Sequence, residues 1–222
     1  HTDCAWWRTS EESKEKLTMA RDTQSIVKMS RREGYALHPK AHKALVKRST
    51  PPGQAANGRF RAKASQYSLQ LREKQKVKRL YGLLERQFSN LMAEASSTKG
   101  QSGQILLQLL EQRADNVVYR AGFAPSRRAA RQLVTHGHFM LNGRRFDIPS
   151  LRLKPGDELV VRTHSTGTDY FKRLDEVSPA GENVSWIKVD RSKVKVAVVA
   201  LPARDEAEPD INEQLIVEYY SR

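Results

Sequence analysis

The stretch Ser126–Asn142, SRRAARQLVTHGHFMLN, followed at once by Gly143-Arg144-Arg145, decides how this chain is read. Ser126 is a natural N-cap, its hydroxyl able to accept from a free amide of the first turn. From there to His136 there is no glycine or proline, and Ala129, Ala130, Leu133 and Val134 recur at helical spacing to give one apolar side. Arg127, Arg128 and Arg131 are read as sharing the opposite side. Gly137, free to take positive φ, ends the helix. His138 to Leu141 reads as a short strand, and Asn142-Gly143 is the strongest two-residue hairpin signal. Arg144 and Arg145 stand where the hairpin returns. This is a helix–turn–hairpin unit carrying at least five guanidiniums, and a planar guanidinium fork suits the phosphates of a nucleic-acid backbone.

An arginine-rich helix face by itself is as readily a solvated face; the charge of the whole chain tips the balance. The 222 residues carry a formal net charge of +14, which points to a polyanionic partner. The excess is uneven. Residues 21–80 hold 16 Lys and Arg against three Asp and Glu, whereas residues 163–222 hold 8 against 11. No apolar run approaches the roughly 18 residues of a membrane span, so no membrane partner is expected. The one cysteine, Cys4, leaves no internal disulfide and no cysteine-based zinc site.

Taken in order, residues 1–18 are mildly acidic, lack the apolar core of a secretory signal, and are read as an extension ahead of an ordinary start at Met19-Ala20-Arg21. Residues 19–63 form a basic arm rich in breakers, with short helical patches at Ile26–Arg32 and Lys40–Lys47 and too little apolar surface to fold by itself. From Ser65 to about Ala95 a helical stripe of Leu69, Val77, Leu80, Leu84, Phe88 and Leu91 is expected to be buried, with Gly82 as a place for a break. A second helix spans Gly103 to about Gln112, and another turn of helix spans Asp115 to Ala121. Beyond the central unit, Glu158–Arg162 reads as a strand able to pair with 138–141. Trp186–Asp190 and Lys193–Val199 read as further strands, and Ile211–Tyr220 as a terminal segment that docks.

These blocks resemble the bacterial-type small-subunit ribosomal protein S-four (universal uS-four) family. The similarity lies in QLREKQKVKRLYGLLERQF at 70–88, ADNVVYRAGFAPSRRAARQLVTHGHFMLNGRR at 114–145, Ser30-Arg-Arg-Glu-Gly34, and INEQLIVEYYS at 211–221. It covers about residues 19–222. It implies an α+β fold: a helical domain over 64–110 completed by 201–222, with an S-four RNA-binding module and associated strands inserted at 111–200. It further implies small-subunit ribosomal RNA as ligand at a multi-helix junction, and a role in nucleating subunit assembly. Small-subunit proteins S-three and S-five are implied neighbours, with a contribution to translational accuracy near the channel by which mRNA enters. The setting would be a cytoplasmic or organellar ribosome, and some relatives also repress their own messenger.

Two departures stand out. Many relatives carry paired cysteines for zinc before the SRREG stretch, where Ile26-Val-Lys-Met-Ser30 has none, so no metal and no other cofactor is expected. The family's Pro-Gly-Gln-His-Gly loop becomes Pro52-Gly53-Gln54-Ala55-Ala56-Asn57-Gly58, without the histidine.

The residues expected to contact RNA are, on the arm and first helix, Arg21, Lys28, Arg31, Arg32, Arg59, Arg61, Lys63, Tyr67, Gln70, Arg72, Lys74 and Lys78. On the central unit they are Arg127, Arg128, Arg131, His136, His138, Asn142, Arg144 and Arg145. Recognition of this kind works mainly on shape and backbone, because the A-form major groove excludes side chains. Arg173-Leu174-Asp175 resembles the catalytic triplet of pseudouridine synthases, which often carry the same module. Only 47 residues follow it, too few for such a catalytic domain. No phosphate loop, nucleophile set or paired carboxylates are visible, and catalysis is not expected. An RNA-modifying enzyme and a free ribosome-rescue factor remain the rival readings.

Overall fold

The computed structural model describes residues 24–53, 64–178 and 184–221. Two helices come first, α1 (Ile26–Glu33) and α2 (Pro39–Lys47). Then follow α3 (Gln66–Leu80), α4 (Glu85–Ser97) and α5 (Ser102–Glu111). The stripe from Ser65 to Ala95 is therefore two helices. Ser65 caps the first, its Oγ accepting from the Ser68 amide at 3.2 Å. At the other end Gly82 takes φ +66°, and the Leu83 amide donates back to the Lys78 carbonyl at 2.9 Å. That closing turn needs a left-handed residue, which glycine adopts without a Cβ clash.

The break folds α4 back so that Val77, Leu80, Phe88, Leu91 and Met92 meet Leu106, Leu107 and Leu110 in one core. Phe88 is completely buried, a burial worth about 1.5–3 kcal/mol. Leu69, expected in that core, is 47% exposed. The last helix, α11 (Glu213–Tyr220), supplies Ile216 to the same core and packs on α3 and α5.

The helical patches read in the arm form as α1 and α2, and its described part also packs: α1 lies on α2 and on α3, with Met29 and Ala41 buried. The buried carboxylate of Glu33 pairs with Arg79 and, at 3.2 Å, with Arg72.

The second core belongs to the inserted module. Helices α6 (Ala114–Arg120) and α7 (Arg127–Thr135) pack together over an antiparallel sheet. Its strands are β1 (Phe139–Leu141), β2 (Arg144–Arg145), β3 (Glu158–Val161), β4 (Ile187–Asp190) and β5 (Lys195–Val198), in the order β2-β1-β3-β5-β4. Phe139 pairs with Val161 and Leu159 with Val196, so alternate residues face one apolar side with Val117, Ala130, Val134 and Trp186. The polar stretch after β3 holds three short helices, α8 (Thr163–Thr166), α9 (Asp169–Lys172) and α10 (Leu174–Val177). These bring Phe171 and Leu174 down onto the sheet.

Candidate nucleic-acid interface

Helix α7 forms as its sequence dictates. Ser126 Oγ accepts from the Ala129 amide at 3.3 Å, Ala130 and Val134 are buried, and Gly137 closes the helix at φ +70°. The hairpin also follows: Asn142 (φ +48°) and Gly143 (φ +80°) both take positive φ, the type I′ arrangement that matches strand twist.

The arginines of α7 do not share one face. Residues i and i+1 lie about 100° apart on a helix, so Arg127 and Arg128 cannot point the same way. Arg128 is exposed and makes no ion pair among the described residues. Arg131 is half-buried and lies 3.5 Å from Asp115. Arg127 turns inward, its side chain only 13% exposed. Its guanidinium donates to Asn116 Oδ1 at 2.9 Å and Glu208 Oε1 at 2.7 Å. It also lies near the rings of Tyr119 and Tyr81, at 4.5 and 4.9 Å from their centroids. Arg127 is thus no free phosphate ligand, and the expectation for it is corrected.

On the returning strand Arg144 and Arg145 are exposed, and neither makes an ion pair among the described residues. The Arg145 side chain lies across Gly137, with Nε 2.9 Å from where a Cβ would stand. His136 is exposed beside it. His138 is half-buried, with Nδ1 3.0 Å from Ser165 Oγ. Burial first, then the charges of His136 and Arg162, hold its imidazole below the usual value. The Asn142 side chain is spent on the fold: it donates to Asp157 Oδ1 at 2.8 Å and accepts from the Glu158 amide at 2.9 Å. The residue itself remains exposed.

On the helical side the expected residues also divide. Arg21, Arg59, Arg61 and Lys63 lie outside the described residues. Lys28 and Arg32 are exposed. Arg31 donates to the Thr50 carbonyl at 3.0 Å, and Arg72 is held by Glu33. Lys78 lies 2.8 Å from Glu85, and Tyr67 packs against Tyr219 with centroids 5.8 Å apart. Two further assignments are corrected outright. Gln70 is buried and donates to Glu218 at 2.8 Å. Lys74 has a side chain 4% exposed, bonded to Glu85 at 2.6 Å and lying 4.5 Å over the Tyr219 ring. Neither faces solvent.

Sequence reasoning passed over a set the structure makes plain. Lys40, Lys43 and Lys47 stand three and four residues apart on α2, exposed, with Arg48 beyond them. Their spacing was the signal. His38 caps this helix, its Nδ1 accepting from the Lys40 amide at 3.1 Å. Burial lowers the His38 pKa, and the charges of Lys40 and Arg128 lower it further. Asp175, by contrast, is 90% exposed at its side chain and pairs with Arg191 at 3.0 Å.

The matches to known proteins follow this two-part build. Residues 21–111 match the ribosomal protein S4/S9 N-terminal domain family, and residues 112–159 match the S4 domain family. Together these define a two-domain S4-type protein. The chain is 50% identical over 204 residues to the small ribosomal subunit protein uS4 of Pelodictyon phaeoclathratiforme, covering 92% of this chain and all of that one. It is 49% identical over 215 residues to that of Herpetosiphon aurantiacus and 48% over 206 residues to that of Chloroflexus aurantiacus, each with the same coverage. The chain belongs to the uS4 family of small ribosomal subunit proteins. This family is structural and not enzymatic. No helix among the described residues is long and apolar enough to cross a membrane.

Proposed function

We propose that this chain binds small-subunit ribosomal RNA at a multi-helix junction. It would grip phosphates with two sets of cations: Lys28, Arg32, Lys40, Lys43, Lys47 and Arg48 from the arm, and Arg128, Arg144 and Arg145 from the module. One observation carries this. These side chains are exposed and without ion pairs among the described residues, whereas Arg120, Arg127, Lys74 and Arg79 are drawn into internal pairs. A fold that satisfies its inner cations and leaves an outer set unmet suits a polyphosphate ligand, whose counterions are released on contact. Family membership supports extending the role to nucleation of subunit assembly and to decoding accuracy near the channel by which mRNA enters. The acidic excess of residues 163–222 repels RNA, which supports giving that side to protein neighbours, with S-three and S-five as the candidates.

The test is the affinity for a folded small-subunit ribosomal RNA fragment across a salt series. Arg128→Ala should weaken binding to all RNA sequences and reduce the slope of log K against log salt by roughly one unit. A slope equal to that of the unaltered protein would remove Arg128 from the interface.

A further inference from the structure

Between the two apolar cores lies a charged layer. Glu111, at the end of α5, is completely buried. Its Oε1 accepts from the Tyr81 hydroxyl at 2.5 Å and from Arg120 at 3.0 Å, and its Oε2 from Asn116 at 2.6 Å and Arg120 at 3.1 Å. Asn116 passes the chain of bonds to Arg127, and Arg127 passes it to Glu208. Glu208 also accepts from the Tyr35 hydroxyl at 3.4 Å. One guanidinium therefore touches the module through Asn116 and Tyr119, the helical domain through Tyr81, and the C-terminal strap through Glu208.

Apolar contacts slide at small cost, whereas a largely buried guanidinium that bonds two different partners through Nε and Nη2 and lies against two rings has far less freedom. We infer that Arg127 and Glu208 form a joint fixing the angle between the helical domain and the module, so that the protein acts as a rigid two-sided gauge. It selects RNA in which two backbone segments already lie in one mutual arrangement. The choice of ligand rests on the RNA-binding reading above; the mechanics do not.

The consequence follows from effective concentration. Cations stand on both sides of the joint, on α1 and α2 and on α7 with β2. When one side is bound, a rigid link presents the other at high local concentration to a matching RNA, and forfeits it with a mismatched one. A loose link would bind folded and unfolded RNA more evenly. Arg127 is thus a positioning residue that acts through the domain angle.

The experiment uses the full chain and two probes: a folded small-subunit ribosomal RNA junction fragment, and polyuridine of equal length. The variants are Arg127→Lys and Glu208→Gln, with Glu208→Asp as a milder perturbation that keeps the fold accessible. The unaltered protein should prefer the folded fragment, and both main variants should lose that preference by at least about tenfold, with Glu208→Asp between. Glu208→Gln is decisive in sign. Removing a carboxylate raises the net charge, which strengthens purely electrostatic binding to polyuridine, so a loss confined to the folded fragment arises from geometry. Small-angle scattering of the free proteins should show one fixed shape for the unaltered chain and a broadened distance distribution for Arg127→Lys. Unchanged scattering, or folded-RNA binding as tight as that of the unaltered protein, overturns the joint. If the unaltered protein shows no preference for the ribosomal fragment, the RNA reading fails instead, and scattering alone decides the joint.

Discussion

Glu111 holds the whole fork of Arg120: Nη2 lies 3.0 Å from Oε1 and Nε 3.1 Å from Oε2, with side chains 1% and 7% exposed. A charge pair this deep repays its own desolvation only while it is complete. Glu111→Gln should therefore cost about 3–5 kcal/mol, because it strands a buried guanidinium. Adding Arg120→Leu to Glu111→Gln, which keeps an amide oxygen for Tyr81 and Asn116, should recover much of that loss. Urea unfolding of the single and double variants measures it, and a double variant no better than the single one contradicts the account.

Acid should undo a different contact. Partial burial pushes the Glu85 carboxyl up, but hydrogen bonds from Lys74 and Lys78 outweigh it and bring it down to about 2. A carboxylate lowered by folding contributes stability that is fully present above its ordinary value near 4.5 and is lost as pH falls toward 2. Glu85→Gln should thus melt below the unaltered protein at neutral pH, and the gap should close between about pH 4.5 and 2. Melting curves through that range test the sign; a gap that is constant or widens on acidification rules out the pair as its source.

Glycine in the first turn of α5 invites the guess that alanine would help, since alanine has the better helix propensity by up to about 1 kcal/mol. The structure predicts the opposite at Gly103. A Cβ there would stand 2.7 Å from Glu213 Cγ and 2.8 Å from Glu213 Cβ, so α11 would have to move. Gly103→Ala should destabilise by about 1–3 kcal/mol, read as a lower denaturant midpoint. A gain would mean that α11 yields freely.

The cap of the central helix offers a smaller effect. Ser126→Ala removes the acceptor for the Ala129 amide and should cost about 1 kcal/mol. Ser126→Asn, which can cap equally well, should restore it; failure of that restoration would place the loss elsewhere.

What the sequence revealed here was mostly local. The cap at Ser126, the stop at Gly137 and the turn at Asn142-Gly143 are decided by residues within a few positions, and they stand as read. The pairing of Glu158–Val161 with Phe139–Leu141 was also legible, because a short apolar run beside a turn marked both strands. The division of cations into inner and outer was not. Arg127 meets Glu208 across 81 positions and Gln70 meets Glu218 across 148, and no local pattern distinguishes a lysine bound for a distant carboxylate from one bound for water. Even Lys74 and Glu85, 11 residues apart, face each other only because the helix breaks at Gly82. The arm misled for a related reason. Its hydrophobic content is as low as it looks, but Glu33 ties α1 to α3 through charge.

The placement of α11 sets an order on how the molecule can be made. Ile216 and its neighbours form one wall of a core whose other walls, α3 to α5, are synthesised about a hundred residues earlier. The inserted module holds all its own core residues between Ala114 and Val198. It can close as soon as it emerges, while the domain that precedes it waits for the chain's final helix. Loss of the last dozen residues would consequently spare the later-made module and leave the first-made domain open.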